Sequence, residues 1–203
     1  MFLAGPGAVF LAGEAAKNKA RNTIIAEPDR YRAAFLIGRR GVDPGPARIV
    51  QSDPRVLLRT VSAGYDLIIQ TTPEPLNAAS NRFFTVQFFR EAAGALKKNG
   101  ILAFSLPFSE NYLPPERAYL AASVLASASS VFRHVEPVPG GALTVLASDG
   151  PIDLSPETLA RRYKARGLDS PYVAPQNLPF ILDPYRRQWA LAATGRIKAP
   201  PLN

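Results

Sequence analysis

The chain has 203 residues, 47% of them hydrophobic and 20% charged, which is enough for one domain with a real core and too few for two large ones. Cysteine is absent and His134 is the single histidine, so disulfides, thiolate catalysis and a zinc constellation are excluded. Basic residues outnumber acidic ones to a net charge of +8, yet the pairs Arg39-Arg40, Lys97-Lys98, Arg161-Arg162 and Arg186-Arg187 are scattered without an aromatic-interleaved stripe. Composition therefore points away from nucleic acid and towards solvated helix faces or a docking surface.

No apolar run approaches the roughly 18 to 20 residues that span a bilayer. The first residues also lack the basic, apolar and cleavage regions of a leader. The expected location is the cytoplasm.

Short apolar runs alternate with helical patterns from the start, the signature of a parallel sheet with crossovers. Residues 2–4 read as a clipped strand, 8–17 as a helix, 23–26 as a second strand and 29–37 as a second helix. The cluster Gly41-Val42-Asp43-Pro44-Gly45-Pro46 breaks the chain before a third strand at 48–51. Residues 67–70 form the fourth strand. A helix over 82–98, with Asn81 as its cap and Asn99-Gly100 as its stop, leads to a fifth strand at 101–105. A helix over 115–129 follows. Residues 132–136 and 143–147, joined through Pro139-Gly140-Gly141, suit a terminal antiparallel hairpin. After Ser148 the pattern turns proline-rich, with amphipathic helices near 156–166 and 184–193. One α/β domain over 1–148 and a helical, proline-rich tail over 149–203 are expected.

Candidate site residues cluster where strands end. The Gly5-Pro6-Gly7 turn between a strand and a helix lets backbone approach a ligand, although a purely structural turn needs the same glycines. Glu27 closes the second strand. It is either an acceptor for paired hydroxyls or an exposed loop acid that joins Asp29 in capping the next helix. Asp53, in Ser52-Asp53-Pro54-Arg55, is a natural N-cap, and one carboxylate oxygen can cap while the other meets a ligand. The buried run Tyr65-Asp66-Leu67-Ile68-Ile69-Gln70 enters the loop Thr71-Thr72-Pro73-Glu74-Pro75. Phe84, Phe88 and Leu96 read as core, Tyr112 as a packed loop tyrosine or a substrate contact, and His134 as structural.

These segments together resemble the spermidine synthase family, whose members transfer an aminopropyl group from decarboxylated S-adenosylmethionine to a diamine on the class I methyltransferase fold. The resemblance implies a Rossmann-like, mostly parallel α/β sheet with an antiparallel terminal hairpin. It implies donor binding through Gly5, Gly7, Glu27 (ribose) and Asp53 (adenine), and acceptor binding through Glu74 and Tyr112. The family's proton-accepting Asp falls on Thr71, and its second Asp on Glu74. Thr71 cannot serve as a general base near neutral pH because its hydroxyl holds its proton too tightly.

Asn111-Tyr112, Pro139-Gly140, Leu146-Ala147-Ser148 and Leu182-Asp183-Pro184 resemble spermidine synthase-like domains that some bacteria fuse to membrane segments. With Met1 only four residues before Gly5, the sequence resembles a chain that has lost the family's upstream hairpin region, which supports homodimers. Three expectations stand side by side. One is a polyamine aminopropyltransferase, a second is an S-adenosylmethionine-dependent methyltransferase, and the third is a noncatalytic scaffold or regulatory domain of a larger membrane-associated protein. The first two imply a small nucleoside donor, with a polyamine as acceptor in the first; the third retains nucleoside binding or only the fold, and none requires a metal.

Overall fold

The computed structural model describes residues 1–109, 112–170, 173–195 and 197–203. Asn111 of the sequence reading lies outside them.

Seven strands form one sheet in the order β3-β2-β1-β4-β5-β7-β6. The strands are β1 (Phe2–Ala4), β2 (Ile24–Ala26), β3 (Arg48–Val50), β4 (Tyr65–Gln70), β5 (Leu96–Leu106), β6 (His134–Val138) and β7 (Leu143–Ser148). β1 pairs in parallel with both β2 and β4, so Leu3 lies between Ile25 and Ile69. β7 runs antiparallel to β5 and β6, which places the expected hairpin at the edge of the sheet. The interleaved helices are α1 (Ala8–Lys17), α2 (Arg30–Arg40), α3 (Pro54–Arg59), α4 (Ala78–Asn81), α5 (Val86–Ala95), α6 (Pro115–Ser129), α7 (Pro156–Ala165), α8 (Leu178–Ile181) and α9 (Pro184–Gly195). The Rossmann-like, mostly parallel α/β sheet that the resemblance implies is the one observed.

Two apolar layers hold the sheet. The larger contains Phe2, Ile68, Leu102, Phe104, Phe84, Phe88 and Phe89, with Ala121, Val124 and Ala190 from the helices above. The Phe89 and Phe104 rings lie 5.4 Å apart, and burying each such side chain stabilises by about 1.5–3 kcal/mol. The smaller layer packs Leu3 and Ile25 against Ala8, Val9 and Ala12 of α1. The tail closes onto the larger layer, where the backbone of Leu202 receives a hydrogen bond from Val86 and donates one to the Ser127 hydroxyl.

One helix differs from expectation. Instead of running over 82–98 from an Asn81 cap, the helix there is the shorter α5, and α4 is a separate turn before it. Asn77 caps α4 in a reciprocal box with Ser80, Asn81 ends it, and the Thr85 side chain caps α5. The chain then turns extended at Leu96, and Asn99 takes a left-handed φ of 61° beside Gly100, so the strand begins earlier than the Asn-Gly pair suggests. Thr85 accepts from the Phe88 backbone nitrogen at the start of α5, and Phe84, just outside the helix, is as fully buried as Phe88 within it. No helix among the described residues is long and apolar enough to cross a membrane.

Candidate functional site at the carboxyl edge of the sheet

Between β1 and β4 the strand order reverses, and open α/β sheets form ligand crevices outside the carboxyl ends of the strands at such a point. Gly5 follows β1, Glu27 follows β2, Asp53 closes the loop after β3, and Thr71 follows β4. A cleft of ≈ 360 Å³ there is lined by Gly5, Pro6, Glu27, Arg32, Asp53, Thr72, Asn77, Ser80, Arg82 and Phe83 among others. A roomier hollow of ≈ 690 Å³ between α1 and the end of α7 holds no comparable set of converging acceptors.

The floor of the cleft is built by a close approach of two loops. Gly5 has a φ of +97°, and a Cβ there would meet Thr71 Oγ1 and the Thr72 backbone nitrogen at 2.7 Å. Only glycine fits both demands. The Thr71 hydroxyl donates to the Ala4 carbonyl at 3.0 Å and accepts from the Gly7 backbone nitrogen at 2.9 Å. Thr71 is therefore a brace between strand ends, its proton directed at backbone. Gly7 caps α1 and faces Thr71 rather than lining the cleft.

Glu27 is 2% exposed, which overturns the alternative of an exposed loop acid. Its Oε1 accepts from the Asp29 backbone nitrogen at 2.8 Å and pairs with Arg32 at 3.1 Å. The helix cap itself is Asp29, whose side chain accepts from Tyr31 and Arg32 backbone nitrogens. No described residue donates to Glu27 Oε2, so a buried carboxylate keeps one acceptor oxygen for the cleft it lines.

Asp53 does cap α3, accepting from the Arg55 backbone nitrogen at 2.9 Å. Its two oxygens are also gripped by Arg82 Nη2, at 2.6 and 2.5 Å. Arg55 in turn forms a two-point pair with Glu91 of α5, both contacts at 2.7 Å, and donates to the Arg82 carbonyl. The Glu91 hydrogen bonds push the Arg55 guanidinium above its ordinary range. This network fastens α3 to α5 and fixes where Asp53 and Arg82 meet.

The residues expected on the acceptor side are less converged. Glu74 pairs with Arg117 of α6 at 3.4 Å and does not line the cleft, while Tyr112 is 68% exposed. Gln70, the last residue of β4, is buried with both amide atoms lacking a partner among the described residues. Arg32, Arg82 and the Arg55–Glu91 pair were not singled out from the sequence as site residues. Arg82 and Asp53 are 29 positions apart and Arg55 and Glu91 36, separations at which no local pattern signals a pair.

No family model and no curated protein matches the chain. Solved structures do. A spermidine synthase in complex with the transition state analogue AdoDATO aligns with TM-score 0.72 at 18% identity, over 97% of this chain and 68% of that one. The spermidine synthase from Thermotoga maritima aligns with TM-score 0.72 at 19% identity over the same shares. A methyltransferase from Pyrococcus furiosus aligns with TM-score 0.54 at 20% identity, over 74% of this chain and 75% of that one. The chain thus carries the class I methyltransferase fold in its spermidine synthase-like form.

Proposed function

We propose that the cleft binds an adenosyl donor, S-adenosylmethionine or its decarboxylated form. The observation that carries this reading is the free Oε2 of buried Glu27. That oxygen accepts from no described residue and belongs to a residue lining the cleft, and the adjacent hydroxyls of a ribose supply two donors to such an acceptor. Asp53, across the cleft, offers an acceptor for an exocyclic amino group once Arg82 shares or yields its oxygens. One of the similar spermidine synthases is in complex with the transition state analogue AdoDATO, which supports an adenosyl ligand for the cleft.

Aminopropyl transfer would form an N–C bond from an acceptor amine and break the C–S bond of the sulfonium, which leaves as a neutral thioether. The attacking nitrogen must also lose a proton to a base. Thr71 does not provide one, since its hydroxyl is spent on Ala4 and Gly7. Glu74, ion-paired to Arg117, remains as a group that could hold a cationic acceptor. The domain is therefore a nucleoside-binding module in which aminopropyl transfer lacks its usual base.

The commitment of Thr71 also favours methyl transfer as the second reading, because that reaction does not require a carboxylate at this position. Calorimetric titration with both donors and with methylthioadenosine tests the assignment. Preference for the decarboxylated donor or methylthioadenosine supports an aminopropyltransferase pocket, and preference for S-adenosylmethionine supports the methyltransferase reading. Binding by none of the three leaves a scaffold and sinks the proposal.

A further inference from the structure

The geometry points to α2 as a docking helix for an anionic phospholipid surface. Of its eleven residues only Ala33 is buried, so packing against the sheet uses a narrow strip of the helix. At 3.6 residues per turn, Tyr31, Ala34, Phe35 and Gly38 fall in one stripe away from Ala33 and Leu36. Tyr31 is 70% and Phe35 50% exposed. Arg30 and Arg39 border this stripe on opposite sides, and Arg40 follows at the helix end. The sequence reading found no stripe that interleaves aromatic and basic residues; on this helix the fold creates one.

The charge on α2 is of one sign. The helix carries four arginines and no acid; Arg32 is engaged by Glu27, and the flanking Asp29 and Asp43 are tied to backbone nitrogens at the two ends. An exposed apolar stripe bordered by arginines matches the interface between headgroups and acyl chains, where guanidinium meets phosphate and the rings enter just below.

Other occupants fit less well. A second copy would set arginines against arginines across a two-fold axis. Single-stranded nucleic acid would need free ring faces for stacking, yet the Arg30 guanidinium lies 4.6 Å from the Tyr31 ring centre and that of Arg40 5.7 Å from the Phe35 centre. This inference is independent of whether the cleft takes an adenosyl donor.

The test is co-sedimentation of the full chain with vesicles of phosphatidylcholine alone and of equal parts phosphatidylcholine and phosphatidylserine, alongside anisotropy with labelled oligouridine and light scattering for self-association. Binding is expected only to the mixed vesicles and should weaken with salt. Arg39→Ala and Arg40→Ala should each lower the partition coefficient about fivefold, and Phe35→Ser by tenfold or more, on the order of the loss of one buried ring. Circular dichroism checks that each variant stays folded, and all three positions are exposed. Lys98→Ala, on β5, is the control for general basicity. Equal binding to neutral vesicles, no vesicle binding, or a loss with Lys98→Ala as large as with Arg39→Ala overturns the proposal. So does a Phe35-dependent dimer or oligouridine complex in place of vesicle binding.

Discussion

The Thr71 hydroxyl bridges the two strand ends that frame the cleft, donating to Ala4 and accepting from Gly7 at 2.9 Å. A side chain that both gives and takes a hydrogen bond at this point cannot be exchanged for a carboxylate without cost. Thr71→Asp sets an acceptor against the Ala4 carbonyl, and Thr71→Val leaves the Gly7 nitrogen without its partner. Each should destabilise by about 1–3 kcal/mol, and Thr71→Asp should not create aminopropyl transfer. Urea denaturation and an assay for methylthioadenosine release check both; an active, fully stable Thr71→Asp protein would refute the brace.

Gly5→Ala should be more damaging than its size suggests. The φ of +97° and the 2.7 Å approach of Thr71 and Thr72 combine strain with a backbone clash. A loss of about 2–4 kcal/mol is expected, together with loss of donor binding, measurable by thermal unfolding with and without ligand. Gly38→Ala, where a Cβ would have nothing within 4 Å, should be neutral or stabilising.

The Arg82 grip on Asp53 separates the two roles of that aspartate. Asp53→Asn keeps a good N-cap and should change stability by less than about 1 kcal/mol, while weakening adenosyl binding. Arg82→Ala frees the carboxylate and should leave binding equal or tighter. Weaker binding in Arg82→Ala would mean that the guanidinium itself touches the ligand; titration calorimetry on the pair of variants decides.

Gln70 carries two polar atoms inside the core that find no partner among the described residues. Gln70→Leu, close in volume, removes them and should be neutral or stabilising by up to about 2 kcal/mol. A destabilised Gln70→Leu protein would reveal that the amide has a partner, such as a bound water or ligand group.

Tyr65 adds a pH dependence. Burial raises its phenol above the ordinary value of 10.0, against a smaller opposing pull from Arg48. The folded state favours the neutral form, so this contribution is complete below that ordinary value and is lost as pH rises through the folded one. The stability difference between the wild-type chain and Tyr65→Phe should hold constant through neutral pH and shift in favour of Tyr65→Phe under alkaline conditions. Parallel urea melts across that range test it, and a difference that stays flat would contradict the assignment.

Much of the frame was legible in the chain itself. The strand and helix alternation, the glycine turn after β1, the Asp53-Pro54 cap and the terminal hairpin all depend on neighbours within a few residues, where backbone preference and apolar periodicity act directly. The helix expected at 82–98 failed for the complementary reason. Its local signals did not mark Thr85 as the start, and Phe84, just outside the helix, packs into a core assembled from distant strands.

By itself, the sequence determined the fold class, the order of the elements and which residues end the strands, because each of these follows from local patterning. Tertiary structure decided what those residues are free to do. Glu27 keeps an oxygen, Asp53 shares both of its own with Arg82, and Thr71 spends its hydroxyl on Ala4 and Gly7. Asp53 and Arg82, like Thr71 and Ala4, lie far apart in the chain and meet only when the sheet forms, and hydrogen bonding is satisfied in space rather than along the sequence.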